Sequence, residues 1–336
     1  MATPASMQYL LFMMDDELSQ NYQAALQGVV YYPQADSGYL RIAGEDRADF
    51  IQRQTTNDIR LLQPPLVLLS VLTSAVARIL DVFFLLNDDE TIGAITLPGF
   101  AQKTAQFLKS RIFFMDRVTV DDLSLNLAQF DLFGPQTQAL LGRLNIQAPA
   151  LNTVSEVEIA GKRGRLLAVE ESFGPGYRLL IEAMDREPVE TVLKQKGAER
   201  LSRTNFETLS VEAGWPQAGR ELSEDYSPLE AGLFSTVADR KGCYTGQEIL
   251  ARQLTYDKVT QQLCGLRLPG SITTGERVYV DGKPAGTLTS FVQSPRFGPI
   301  GLAILKRPYF QPGNQVLIGS PASQEIATVV SLPFKA

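Results

Sequence analysis

Residues 66–86 read LVLLSVLTSAVARILDVFFLL, a stretch long and apolar enough to resemble a membrane-spanning helix. Two charged residues decide against that reading. Arg78 and Asp81 would each cost roughly 2.5–3.5 kcal/mol near the centre of a bilayer. Ser70, Thr73 and Ser74 interrupt the apolar run as well. Two adjacent buried strands, 66–73 and 78–86, account for the pattern better. Upstream, residues 39–43 alternate like a strand, and Gly44-Glu45-Asp46 supplies a turn with an acidic helix start. Ala48, Phe50, Ile51 and Gln54 then suggest a short amphipathic helix. Downstream come a third apolar run, 92–97, and a helix opened by Pro98-Gly99 with Phe100, Phe107, Leu108 and Ile112 near helical spacing. Strand character returns at 117–120.

The same pattern follows again in weaker form. Residues 127–133 read as a strand, and Gly134-Pro135 starts a helix through Leu140, Leu141 and Leu144. A strand pair, 165–169 and 177–182, is joined through Gly174-Pro175-Gly176; a helix over 185–196 and a short strand near Leu201 complete the copy. Strand–helix–strand–strand–helix–strand, occurring twice, predicts two ferredoxin-like α/β units. A helix over 203–213 leads into an irregular segment, 214–242. Beyond Asp257, short strand candidates at 261–268, 277–280, 286–291, 301–305 and 315–318 are separated by Gly- and Pro-containing turns. That spacing predicts a small closed or nearly closed β-barrel. The expected class is therefore α+β, with α/β units at 1–125 and 126–257 and a C-terminal barrel at 258–336.

Composition narrows the chemistry. The chain has 336 residues, 31 basic and 37 acidic, for a net charge of −6, so non-specific nucleic-acid binding by phosphate neutralisation is not expected. It contains no histidine, which excludes Ser-His-Asp and Cys-His catalysis and histidine metal sites. Its two cysteines, Cys243 and Cys264, cannot build a structural zinc site or hold an all-cysteine iron–sulfur cluster within one chain. No metal site is predicted. The apolar run 7–14 is short and ends in Asp15-Asp16-Glu17, unlike a secretory signal. A cytoplasmic protein without membrane attachment is expected.

One segment carries chemistry: Lys241-Gly242-Cys243-Tyr244-Thr245-Gly246-Gln247-Glu248. Flanking glycines let the backbone turn sharply and bring the thiol to a surface. A helix start near Gly246-Gln247-Glu248, with Arg240 and Lys241 alongside, would favour the thiolate. The alternative is a buried cysteine acting as a small hydrophobe in a tight turn. Cys264 alternates with Leu266 and Leu268 on one face of a predicted strand, the place of a core cysteine. Two free thiols of different reactivity are expected, since a disulfide is disfavoured in a reducing compartment.

The string KGCYTGQE resembles the signature of the YgfZ family, relatives of the glycine-cleavage T-protein (aminomethyltransferase). The resemblance extends through Val211-Glu212-Ala213-Gly214-Trp215-Pro216, Gly219-Arg220-Glu221-Leu222, Pro228-Leu229-Glu230-Ala231-Gly232-Leu233 and Ile249-Leu250-Ala251-Arg252. Thinner likeness appears at Gly176-Tyr177, at Gly286-Thr287-Leu288-Thr289-Ser290 and at Ile300-Gly301-Leu302-Ala303. It implies a ring-like T-protein architecture of two α/β units and a barrel, with a cleft for tetrahydrofolate or a derivative. Glu212 matches the carboxylate that accepts from the pterin amino group and ring N–H. Arg220, Arg240, Lys241 and Arg252 are candidates to attract the anionic folate tail. Trp215, Tyr244 and Gln247 complete the candidate cofactor-binding positions, while Cys243, with Lys241 beside it, is the candidate functional group.

Departures from the T-protein pattern matter. Its early strand carries an Asp-Asp pair whose second member is catalytic; here the matching residues are Asp81 and Val82, and valine cannot transfer protons. Ser210 and Trp215 stand where arginines are common. Three functions stay open. The first is a folate-binding accessory protein that uses Cys243 to support iron–sulfur cluster assembly or repair, with client enzymes (one of them tRNA-modifying) or cluster carriers as transient partners. The second is a folate-dependent one-carbon transferase or demethylase, and the third a non-enzymatic folate-sensing scaffold.

Overall fold

The computed structural model describes residues 20–88, 90–169, 176–256, 258–270, 272, 274–320 and 323–335. The run 7–14, Gly174-Pro175 of the expected turn, and Asp257 lie outside the described residues. A short strand, β1 (Val30–Pro33), precedes the first repeat. That repeat runs β2 (Tyr39–Ala43), α1 (Arg47–Gln54), β3 (Val67–Thr73), β4 (Ile79–Asn87), β5 (Thr91–Ile95), α2 (Ala101–Ser110) and β6 (Thr119–Asp122). The second runs β7 (Leu127–Phe133), α3 (Thr137–Arg143), β8 (Thr153–Ile159), β9 (Lys162–Ala168), β10 (Tyr177–Glu182), α4 (Arg186–Gln195) and β11 (Glu199–Arg200). Helix α5 (Arg203–Ala213) precedes the signature segment in the chain, and α6 (Gln247–Thr255) begins within it. The barrel strands are β12 (Gln261–Arg267), β13 (Arg277–Val280), β14 (Lys283–Ser294), β15 (Gly298–Lys306), β16 (Gln315–Ser320) and β17 (Ser323–Val330).

Residues 36–124 with 208–336 form one compact unit, and residues up to 35 with 125–207 form another. The first unit contains the five-stranded sheet β3-β4-β5-β2-β6 and the closed barrel β12-β15-β14-β13-β16-β17. In the sheet, the 66–86 stretch is the antiparallel pair β3–β4, with Val71 opposite Val82 and Leu72 opposite Asp81. Its polar residues all find partners. Ser70 Oγ accepts from Asn57 N–H at 2.9 Å, and Thr73 Oγ donates to Thr245 O at 2.6 Å. Ser74 Oγ accepts from Arg78 N–H at 3.1 Å, closing the turn between the strands. Leu40, Ile42, Phe50, Ile51, Phe83, Leu85 and Leu108 fill the core between the sheet and helices α1 and α2. Each such large side chain contributes about 1.5–3 kcal/mol by leaving water.

The second unit holds the sheet β11-β1-β7-β10-β9-β8, around a core that includes Tyr31, Phe130, Leu132, Leu140, Leu166, Leu179 and Leu193. Each repeat has a three-stranded meander where the apolar runs of the second copy suggest only a pair. The additional strand, β8, lies at the sheet edge and buries only Ile159 fully, so it carries no apolar run. β17 closes the barrel between β12 and β16 and likewise escapes the apolar-run criterion, because it opens with Ser323-Gln324-Glu325. Among the described residues no helix is long and apolar enough to cross a membrane.

Candidate functional site

The signature segment is stitched onto the loop after α1 and onto the β3–β4 turn. Lys241 Nζ donates to the backbone carbonyls of Thr55 and Asn57 at 2.5 and 2.6 Å and sits 4.8 Å from the Tyr244 ring centroid. Burial pushes its ammonium down to about 8; Asp58 opposes this shift and Arg60 adds to it. Tyr244 packs with Ala77, Leu229 and Leu250, and burial pushes its phenol up to about 12. Thr245 N–H donates to Arg53 O at 3.2 Å, while its carbonyl accepts from Thr73 Oγ. Gly246, at φ +86°, is needed as glycine: a Cβ there would stand 2.8 Å from the Ser74 carbonyl oxygen. Helix α6 begins at the next residue, Gln247, whose N–H reaches back to Tyr244 O at 3.2 Å.

Between these anchors Gly242 and Cys243 are exposed, and Cys243 is a free thiol. The alternative of a buried cysteine in a tight turn does not hold for Cys243, because Lys241 and Tyr244 occupy the interior instead. Cys264 is the buried one: it lies on β12, donates to Ala303 O at 3.6 Å, and burial pushes its thiol up to about 12. Arg240 is exposed. Arg252 is exposed too and pairs with Glu248 at 2.8 Å one helical turn away.

A second group of candidates faces the barrel. Glu212, near the end of α5, is buried and accepts from Ser294 Oγ at 2.5 Å, with Arg296 3.8 Å from its other oxygen. Its backbone carbonyl accepts from Phe334 N–H at 2.9 Å, and Val211 beside it packs on Ile300, Leu302 and Phe334. Gly214 then leaves the helix at φ +76°, against the side chain of Leu332. Trp215 is half-buried and donates its backbone N–H to Ser210 O. Arg220 reaches Ser290 Oγ at 3.5 Å, and Ser290 in turn donates to Glu221 at 2.7 Å. Glu212 and Arg220 thus both meet β14, whereas Lys241 meets the loop after α1 and Tyr244 the β3–β4 turn, with Cys243 exposed between them.

Glu221, Glu230 and Asp81 are buried carboxylates to which the sequence alone gives no role. Glu221 accepts from Gln217 N–H at 2.8 Å besides Ser290. Glu230 accepts from Ser227 N–H at 2.8 Å and from Arg78 at 2.9 Å. Asp81 has no exposed surface and accepts from Val82 N–H, Leu97 N–H and Thr104 Oγ at 2.7, 2.9 and 2.6 Å. Burial pushes its carboxyl up to about 7 against the pull of these donors. The signal for Asp81 was an acid inside an apolar strand; Glu221 and Glu230 sat within the resembling block without a role.

Mixed α/β sheets and a closed six-stranded barrel define the T-protein fold. Residues 5–241 match the GCVT N-terminal domain, and residues 261–335 match the glycine cleavage T-protein C-terminal barrel domain. The chain belongs to the glycine cleavage T-protein (GCVT) family. It is 30% identical over 324 residues to the Arabidopsis thaliana protein named "Putative transferase At1g60990, chloroplastic", covering 94% of this chain and 73% of that one. It is 28% identical over 293 residues to an aminomethyltransferase of Thermus thermophilus, covering 85% of this chain and 82% of the relative. In fold it resembles the glycine cleavage system aminomethyltransferase T from Bartonella henselae, with a TM-score of 0.82 at 19% identity, covering 94% of this chain and 88% of that structure.

Proposed function

We propose that this chain is a folate-binding accessory protein of the YgfZ type, acting in the cytoplasm, whose Cys243 thiol supports assembly or repair of iron–sulfur clusters in client enzymes. The observation that carries this reading is the exposure of Cys243 between two anchored neighbours, Lys241 and Tyr244. One thiolate cannot retain a cluster alone, so the cluster is cargo shared with a client or carrier protein. A tRNA-modifying enzyme is among the clients this reading includes.

Tetrahydrofolate or a derivative is the proposed cofactor; when bound it supplies a pterin ring and, in its substituted forms, a one-carbon unit. Glu212 suits the pterin chemically. A carboxylate accepts about four hydrogen bonds, so the Ser294 hydroxyl on one oxygen does not exhaust it. Trp215 offers a flat face for a ring, and Arg220 and Arg240 offer charge for the tail. Val82 argues against aminomethyl transfer: it is an apolar residue on β4, and the neighbouring acid, Asp81, is fully buried and accepts from Leu97, Thr104 and the Val82 N–H. A second reading, a one-carbon transferase, is favoured by the Thermus relative's name.

Titration with tetrahydrofolate and its methylene and formyl forms, followed by the fluorescence of Trp215, tests the cofactor. Glu212→Gln should weaken binding by about 1.5–3 kcal/mol, roughly 10- to 150-fold; equal binding removes Glu212 from the site. Cys243→Ser should keep stability and folate binding but fail to support iron–sulfur enzymes in cells. Full support by that variant would defeat the accessory reading, and ammonia release from an aminomethyl-carrier substrate would favour the transferase.

A further inference from the structure

Lys241 is the charged residue of the signature segment that the protein takes inside. A buried ammonium must place its three donors or lose much of its hydration energy. Two of them go to the carbonyls of Thr55 and Asn57. Those carbonyls belong to a run that is itself fixed. Thr56 N–H donates to Val71 O at 3.0 Å, and Thr56 Oγ donates to Thr236 O at 2.7 Å. Asn57 donates its backbone N–H to Ser70 Oγ and its side-chain amide to Leu69 O, both at 2.9 Å. The ammonium therefore rests on a plate built against strand β3.

On the far side of Cys243, Thr245 is held by Arg53 and Thr73, and Gly246 lies close against the Ser74 backbone. Only Gly242 and Cys243 span the gap, and Gly242 has open space around it, with nothing within 4 Å of where a Cβ would stand. A glycine in open space restrains nothing locally. Order at the thiol must come from the clamps at either end.

We infer that Lys241 is a positioning residue: its ammonium latches the Cys243 tip to the carbonyls of Thr55 and Asn57, so that the thiol stands at one fixed place on the surface. The consequence for client enzymes rests on the reading of Cys243 as the working thiol; the latch itself does not. Lys241 is then not a proton donor to the thiol, since its buried ammonium is committed to the Thr55 and Asn57 carbonyls while Cys243 is exposed.

A methanethiosulfonate nitroxide placed on the folded protein should label Cys243 and spare the buried Cys264, so its electron paramagnetic resonance spectrum reports the tip alone. The wild-type spectrum should be that of an immobilised label. Lys241→Met keeps length and apolar bulk but removes the donors, and should shift the spectrum toward free motion while Cys264 stays shielded. A merely structural or proton-donating role would leave the label's motion unchanged, and a wild-type spectrum in a Lys241→Met protein with Cys264 shielded overturns the latch. Should Lys241→Met fail to fold, exposing Cys264 to the reagent, Lys241→Gln is read in the same way, because it keeps a polar head in the site but is too short to span both carbonyls. Failure of the latch leaves the Cys243→Ser cellular result untouched, so the two readings are judged separately.

Discussion

The two α/β sheets share one plan and bury an aspartate by different means. Each has a strand and helix, then a three-stranded meander, then a second helix and a last strand; in the second sheet β1 is inserted before β11. In the first, Asp81 on β4 lies among two backbone N–H groups and a hydroxyl, all neutral donors. In the second, Asp131 on β7 faces Arg178 directly across the strand pair, with N–O distances of 2.7 and 3.1 Å, and accepts from Gln34 as well. A buried acid can raise its proton affinity or take a counter-charge. Asp81 takes the first route and Asp131 the second. The same substitution should therefore act differently at each.

The largest effect is expected at Asp131. Its side chain is 1% exposed and that of Arg178 is 14% exposed, so the pair is shielded from water. Asp131→Asn removes the Asp131 charge from beside a mostly buried guanidinium, and breaking such a pair from one side costs about 3–5 kcal/mol. A denaturant titration checks this. A midpoint equal to that of wild type would mean that the pair adds nothing the amide cannot replace.

At Asp81 the same change should be tolerated, and its effect should depend on pH. An aspartate whose folded value is raised to about 7 favours the folded state below its unfolded value of 3.8. That contribution is lost as pH rises through about 7, because the folded state must then hold a bare charge or release it by unfolding. Asparagine can accept from the two N–H groups with its oxygen and donate to the Thr104 hydroxyl, as the protonated acid would. Asp81→Asn should thus gain on wild type steadily between pH 4 and pH 7, since other titrating groups cancel in the difference. Parallel stability curves across that range would place the titration elsewhere.

The contrast between the sheets was half legible in the sequence. Asp81 stood out because an acid interrupted an apolar run, and the segments 203–213 and 127–133 coincide with α5 and β7. Asp131 did not stand out, because the residue that gives it meaning lies 47 positions away. Glu221 and Ser290 are 69 apart, and Arg78 and Glu230 are 152 apart; no local pattern announces such partners. Edge strand β8 was missed for the converse reason, since residues that face solvent need not be apolar. In the signature segment, the glycines and cysteine marked an exposed thiol. Nothing there revealed that the adjacent lysine turns inward, because that depends on carbonyls 184 and 186 residues away.

The smallest effect isolates burial as the cause. Asp121 on β6 stands directly opposite Arg41 on β2, the same acid–arginine arrangement across an antiparallel pair, at 2.9 Å. Here the side chains are 43% and 48% exposed, so water competes for both charges and salt screens them. Exposed pairs of this kind contribute about 0.2–1 kcal/mol. Asp121→Asn should lower stability by no more than that, and adding salt to about 1 M, where the screening length is near 3 Å, should remove most of the difference. Asp131→Asn should keep its cost in the same salt, because its partner is reached by little solvent. If Asp121→Asn proved as costly as Asp131→Asn, and equally indifferent to salt, geometry across the strands rather than exclusion of water would set the worth of these pairs.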